Sequence, residues 1–143
     1  MNTPSEKTRD TKPGLLFPEE SYRIKGACLA VYNGLGPGFL EKVYENALGH
    51  ELRKRGFAVR QQVPVKVNYD GVVVGDYVID MLIDEQFIIE IKGTEADNPL
   101  YKAQLINYLK ATGFELGFLA NFGTKSLGFQ RVVFTKHGPM ERR

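Results

Sequence analysis

The hexapeptide Phe87-Ile88-Ile89-Glu90-Ile91-Lys92 constrains the fold of this chain more than any other stretch. It is apolar and β-branched apart from two charges, so it reads as a strand in the interior of a sheet. Strand side chains alternate between faces. Phe87, Ile89 and Ile91 therefore share one face, and Ile88, Glu90 and Lys92 share the other. A charge in that setting is costly unless it is paired or coordinates a cation. The preceding run, Tyr77–Ile83, carries the same irregularity in Asp80. When the two runs pair through the Asp84-Glu85 turn, Asp80 and Glu90 meet on one face. Two carboxylates that close repel unless a cation neutralises them. Oxygen donors completed by water suit Mg²⁺ or Mn²⁺. The plain alternative is a buried Asp–Lys or Glu–Lys ion pair that only fixes the core, and spacing alone leaves both open.

The surrounding pattern supplies helices and more strands. Residues 1–17 are polar and aperiodic and read as a flexible lead-in. Ile24, Ala27, Cys28, Val31 and Leu35 fall on one helical face, in a helix starting near Glu19. Gly34, Gly36, Pro37 and Gly38 break it. A second helix is expected from Phe39 to Arg55, with Leu40, Val43, Tyr44, Ala47, Leu48 and Leu52 inward and Gly56 as its stop. Gln62–Tyr69 alternates, Asp70-Gly71 is a hairpin signal, and Val72–Val74 returns. Tyr77–Ile83 and Phe87–Lys92 follow as strands. Asn98-Pro99 opens a third helix that stops near Gly113. Strands at Leu116–Ala120 and Gln130–Phe134 close the pattern. The order α-α-β-β-β-β-α-β-β implies an α/β domain with a mixed central sheet and a parallel, right-handed crossover across the third helix. One domain over 18–137, with a tail at 138–143, is the expected organisation.

Composition excludes several classes. The single cysteine, Cys28, rules out an internal disulfide and a cysteine-rich zinc site, and suits a reducing, cytoplasmic location. No apolar run approaches the roughly 20 residues that span a bilayer. The N-terminus lacks the apolar segment of a signal peptide. A net charge of +2 permits a nucleic-acid partner without arguing for one.

Asp80, nine intervening residues, Glu90, one residue and Lys92 resemble the D-x(n)-(D/E)-x-K signature of the PD-(D/E)xK nuclease superfamily. The segment order also resembles its restriction-endonuclease-like αβββαβ core. Gly38-Phe39-Leu40-Glu41-Lys42-Val43-Tyr44 matches G-x-x-E-x-x-Y, the motif of the GxxExxY proteins, a bacterial branch of that superfamily. The likeness runs from about Ser21 to Phe134. The resemblance implies a metal-dependent nuclease acting on phosphodiester bonds in DNA. It implies that Asp80 and Glu90 hold Mg²⁺ or Mn²⁺, that the Ile91 carbonyl adds a ligand, and that Glu41 completes the site directly or through water. It makes Lys92 the group that orients or activates water and stabilises phosphoryl charge. Gln104 and Tyr108, one helical turn apart with Tyr101 nearby, resemble the Q-x-x-x-Y helix of RecB-type members and imply substrate contacts. Tyr44 is expected to pack with its hydroxyl on a site carboxylate or against substrate. Val78, two residues before Asp80, stands where related sequences are expected to carry a basic residue.

Glu41 and Glu45 lie at i, i+4, where like charges repel slightly; a nearby cation would relieve this. For Glu45 a solvated helix surface is the expected setting. His50 and His137 lack ligand-spaced partners. Cys28 reads as a buried small hydrophobe. Gly34–Gly38 lacks the Lys-Ser/Thr of a phosphate loop. Arg53, Lys54, Arg55, Arg60 and Lys66 form a candidate phosphate-contacting patch or a solvated surface. Two other functions compete: a non-catalytic module of the same fold that binds nucleic acid or protein, and a carboxylate-pair glycosidase, which Lys92 and the absence of Trp disfavour. A homo-oligomer or a protein partner stays open.

Overall fold

The structure, a computed structural model, describes residues 16–135. The elements run α1 (Pro18–Leu35), α2 (Glu41–Lys54), β1 (Val59–Tyr69), β2 (Val72–Ile83), β3 (Phe87–Lys92), α3 (Pro99–Thr112), β4 (Leu116–Asn121) and β5 (Gly128–Val133). They form one five-stranded sheet in the order β1-β2-β3-β4-β5. The β3–β4 pair is parallel, across α3; the other pairs are antiparallel. This is the expected α/β domain with a mixed sheet and helices on both faces.

The differences from expectation are local. Val72–Val74 and Tyr77–Ile83 are one strand, because β1 pairs with the intervening Gly75 and Asp76 and takes up the mismatch as a register shift at Val67/Asn68. β1 also begins earlier, at Val59. α2 starts at Glu41, with Leu40 extended as its N-cap. Leu40 and Val43 are exposed, so the buried stripe narrows to Tyr44, Leu48 and Leu52, with Ala47 packed beside it. Phe17 belongs to the core and not to a lead-in: it is buried edge-on against Phe87, 5.1 Å between ring centroids. The expected lead-in from 1 to 15, the tail at 138–143 and His137 lie outside the described residues.

Turn and cap chemistry sets the ends. Gly56 takes φ 96° after α2, a conformation that disfavours side chains bearing Cβ. Asn98 Oδ1 accepts the Leu100 N–H at 2.9 Å and caps α3, with Pro99 in the first turn. α1 and α2 bury one face of the sheet with Met81, Ile83, Phe87, Ile89, Ile91 and Phe118. α3 buries the other with Val63, Ile79, Leu82, Ile88, Leu105 and Leu119. β3 is buried on both sides, which is why it reads as a nearly continuous apolar run.

Candidate active site

β2 and β3 pair through Ile83–Phe87, Leu82–Ile88 and Met81–Ile89. The next pair would be Asp80 with Glu90, and there the backbone ladder stops. Each carboxylate instead takes a main-chain amide of the other strand. The Asp80 N–H donates to Glu90 Oε2 at 2.9 Å, and the Ile91 N–H donates to Asp80 Oδ2 at 2.8 Å. The two acids thus meet where the strands open, Glu90 buried and Asp80 half-buried. Their remaining oxygens, Asp80 Oδ1 and Glu90 Oε1, take no hydrogen bond among the described residues.

β1 distorts at the same level. Gln61 pairs with Met81 and Val63 with Ile79, but Gln62 and Asp80 between them do not pair, and Gln62 sits at φ 56°. Side-chain alternation fails there. Ile79 and Leu82, three residues apart, both enter the α3-side core, whereas Met81 and Ile83 enter the other. Asp80 is the residue at which β2 changes face.

Lys92 lies two residues beyond Glu90. Its Nζ is 3.4 Å from Gln104 Oε1 and 4.8 Å from the centre of the Tyr101 ring. No ion pair to Lys92 forms among the described residues, so the plain core ion pair is not what holds these charges. Glu41, first residue of α2, accepts the Gly93 N–H at 3.1 Å and ties that helix to the end of β3.

The electrostatics follow from burial and crowding. Burial, then the Asp80 charge, push the Glu90 carboxyl up to about 8. Burial also raises Asp80, with the Ile91 amide pulling it back. Lys92 lowers both and Glu41 raises both, so all four groups share one field. Tyr108 is raised to about 12, first by burial, then by Glu90 and Asp80. Among the described residues no three acidic, His or Cys side chains close into a finished metal cage. Two converging carboxylates with free oxygens nonetheless make a donor set that fits a hard divalent cation with water in its shell.

The sequence matches the PD-(D/E)XK nuclease superfamily over residues 18–132. The chain belongs to the PD-(D/E)XK nuclease superfamily. Two solved structures share the fold. An alkaline exonuclease from Laribacter hongkongensis aligns with TM-score 0.51 and 11% identity, over 96% of this chain and 79% of its own. SSO0001 aligns with TM-score 0.53 and 22% identity, over 66% of this chain. The match spans half (50%) of the length of SSO0001. No curated protein matches.

Within this superfamily member, the remaining sequence candidates separate. Gln104 and Tyr108 are at the site, through Lys92 and through proximity to the acids. Tyr44 is not on a carboxylate and offers no surface to substrate. It is fully buried, its ring stacked on Phe122 at 4.7 Å. Its hydroxyl donates to the Gly36 carbonyl at 2.6 Å and accepts the Phe39 N–H at 3.0 Å. It holds the loop that delivers Glu41, a positioning task. The Arg53–Lys66 cations are largely occupied: Arg55 and Lys54 by Glu51, Arg60 by Glu85, Lys66 by Asp76. They do not form a free phosphate patch. Cys28 is buried, as expected, and burial raises its thiol far above the ordinary range.

Glu45 overturns its expected solvated setting. It is 4% exposed and accepts from Gln61 Nε2 at 2.7 Å, Gln62 Nε2 at 2.8 Å and Lys42 Nζ at 3.2 Å. α2 crosses β1 at its distortion, so two glutamine amides replace water around the carboxylate. Glu45 therefore anchors the left-handed Gln62 opposite Asp80. The Gln61-Gln62 pair was the only sequence signal for it, and that pair is unremarkable in a strand. Asn121 was also missed. Its Oδ1 accepts the Thr94 and Gly123 amides at 3.1 and 2.9 Å, locking the loop after β3 to the end of β4.

Proposed function

We propose that this chain is a metal-dependent nuclease that hydrolyses phosphodiester bonds in DNA, and that within its superfamily it stands with the GxxExxY proteins through Gly38, Glu41 and Tyr44. The observation that carries this is the meeting of Asp80 and Glu90 at the opening of β2 and β3, with Lys92 one step along the same face. A folded chain keeps two like charges together in a buried position at a cost. That cost is understandable where a cation and a phosphate complete the charge balance. Asp80 and Glu90 would hold Mg²⁺ or Mn²⁺, with the Ile91 carbonyl, and Glu41 directly or through water. Bound there, the cation would supply Lewis-acid polarisation of the phosphate and a more acidic water.

The chain's own residues do the rest. Lys92 orients the attacking water and balances charge developing on the phosphoryl oxygens. Gln104 holds the Lys92 ammonium in place and, with Tyr108, lines the approach of the phosphate. Glu45 sets the position of Asp80 through Gln62. Exonuclease activity in a fold neighbour and the superfamily itself support a nuclease. Cytoplasmic action is part of the same reading, since unpaired Cys28 stays reduced there.

The test is cleavage of labelled single- and double-stranded DNA with Mg²⁺ or Mn²⁺, for wild type, Glu90→Ala and Lys92→Ala, beside calorimetric titration of each ion. Metal-dependent cleavage by wild type alone supports the assignment. Equal cleavage by all three proteins sinks it. Folded wild type that binds DNA yet never cleaves leaves the non-catalytic module as the better account.

A further inference from the structure

We propose that a groove at the β4–β5 end of the sheet receives an unpaired nucleobase of the strand being cut, an inference that rests on the nuclease reading above. The groove has a volume of about 480 Å³ and polar walls from Asp97, Asn121, Thr124, Ser126 and Gln130. Its apolar floor comes from Leu119 and Gly128, while Phe129 lines it through its backbone, its ring being stacked on Phe118 at the opposite face.

Its place follows from the register. In the parallel β3–β4 pair, Leu119 lies beside Glu90 and Asn121 beside Lys92. Paired residues on neighbouring strands point to the same face. In the next pair, Gln130 lies beside Leu119 and Gly128 beside Asn121. The groove therefore opens about 5 Å, one strand spacing, from the acid–lysine edge, on the same face of the sheet. A nucleotide next to the scissile phosphate reaches that far.

Its chemistry selects a base over a phosphate. No Lys, Arg or His lines it, and its one ionisable wall is the carboxylate of Asp97. An anion is repelled there. A neutral, planar ring with donors and acceptors on its edge suits an apolar floor rimmed by amide and hydroxyl groups. The Gln130 side chain and the Ser126 hydroxyl make no hydrogen bond among the described residues, so both are free to read such an edge.

The walls are set before any ligand arrives. Asn121 Nδ2 donates to Thr94 Oγ1 at 3.2 Å while its Oδ1 holds two backbone amides. The Tyr32 hydroxyl bonds the Thr124 and Lys125 carbonyls at 2.7 and 2.6 Å. A Cβ on Gly123 would lie 2.5 Å from the Gly93 carbonyl carbon and the Thr94 nitrogen, so only glycine lets these two loops close together. Preformed walls spare the ordering cost of binding. A base can enter only if it is unpaired, which points to single-stranded DNA or a frayed end as the substrate class.

The experiment uses the full chain and a fluorescently labelled single-stranded tetradeoxynucleotide in Ca²⁺ buffer, with an abasic nucleotide at each position in turn. Ser126→Trp fills the groove and Gln130→Ala removes a reading group; neither residue belongs to the acid–lysine site. Thermal melting checks that both variants fold. Expected is about tenfold weaker binding for Ser126→Trp and about threefold for Gln130→Ala. One abasic position should weaken wild type by a similar factor and erase the difference between wild type and Ser126→Trp. Wild-type affinity in both variants, no coupled abasic position, or no binding by wild type overturns the inference. Coupled binding without cleavage in Mg²⁺ or Mn²⁺ leaves the groove standing and removes the nuclease reading; cleavage without coupling does the reverse.

Discussion

The two ends of one strand pair, β2 with β3, obey different rules. From Met81 to Ile83 against Phe87 to Ile89, the pair is regular, apolar and fully buried. One step further, at Asp80 and Glu90, carboxylates take over the hydrogen bonds of the ladder. The first end gains stability from burial, roughly 1.5–3 kcal/mol per large aliphatic side chain. The second end gives up stability to keep two acids adjacent. The core and the proposed site are thus adjoining stretches of the same two strands, and substitutions at the two ends should fail in different ways.

The largest expected effect contrasts Lys92→Ala with Ile89→Ala. Lys92→Ala should lower kcat for DNA cleavage by about 10²–10³-fold while the melting temperature holds within a few degrees. Ile89→Ala should cost about 2–5 kcal/mol in denaturant unfolding, with the activity of the folded fraction preserved. A Lys92 variant that unfolds like the Ile89 variant would erase the distinction.

The next effect is in pH. Folding raises the Glu90 carboxyl from its ordinary 4.5 to about 8, so between those values the folded chain keeps a proton that the unfolded chain has released. Stability in chelated buffer should therefore be full below about 4.5 and fall as pH rises to about 8. Asp80, also raised, acts with the same sign. Glu90→Gln should flatten the decline and exceed wild type at pH 8 by about 2–4 kcal/mol. Urea melts of both proteins across that range decide it; a wild-type curve that rises with pH would contradict the geometry.

Restoring a divalent cation should act on the same end. At pH 8, Mg²⁺ or Mn²⁺ should raise the wild-type melting temperature by several degrees, in proportion to the logarithm of ion concentration. Glu90→Gln should show little response. An equal shift in both proteins would assign the ion to another site.

The smallest expected effect tests how the opening is held. Glu45→Ala removes the carboxylate that Gln61, Gln62 and Lys42 share and should cost about 1–3 kcal/mol. Through the shift of Asp80 it should also weaken metal binding by several fold, whereas Glu45→Gln recovers much of both. A stability loss with unchanged metal affinity would make Glu45 purely structural.

Much of this was legible before the fold. The alternation in Phe87–Lys92 assigns Ile88 to one face and Ile89 to the other, and the cores confirm it. Asn98-Pro99 and Gly113 bound α3 as written. Leu40 and Val43 misled, because apolar spacing cannot tell a buried helix face from one left bare where no neighbour packs. Glu45 misled for the opposite reason: a glutamate on a helix is normally wet, and only the crossing of α2 over β1 dries it. Tyr44 is expected from sequence to meet substrate or a site carboxylate and instead packs in the core with its hydroxyl on Gly36, which becomes its neighbour only after the chain turns between α1 and α2.

Sequence by itself determined the element types, the mixed sheet and the unusual placement of Asp80, Glu90 and Lys92 in apolar strands, because periodicity and polarity are local properties. Tertiary structure alone decided that β2 changes face at Asp80, that Gln62 adopts a left-handed backbone held by Glu45, and that Gln104 meets Lys92. Those depend on which segments pack together, and packing between residues far apart in the chain leaves no periodic trace in the sequence.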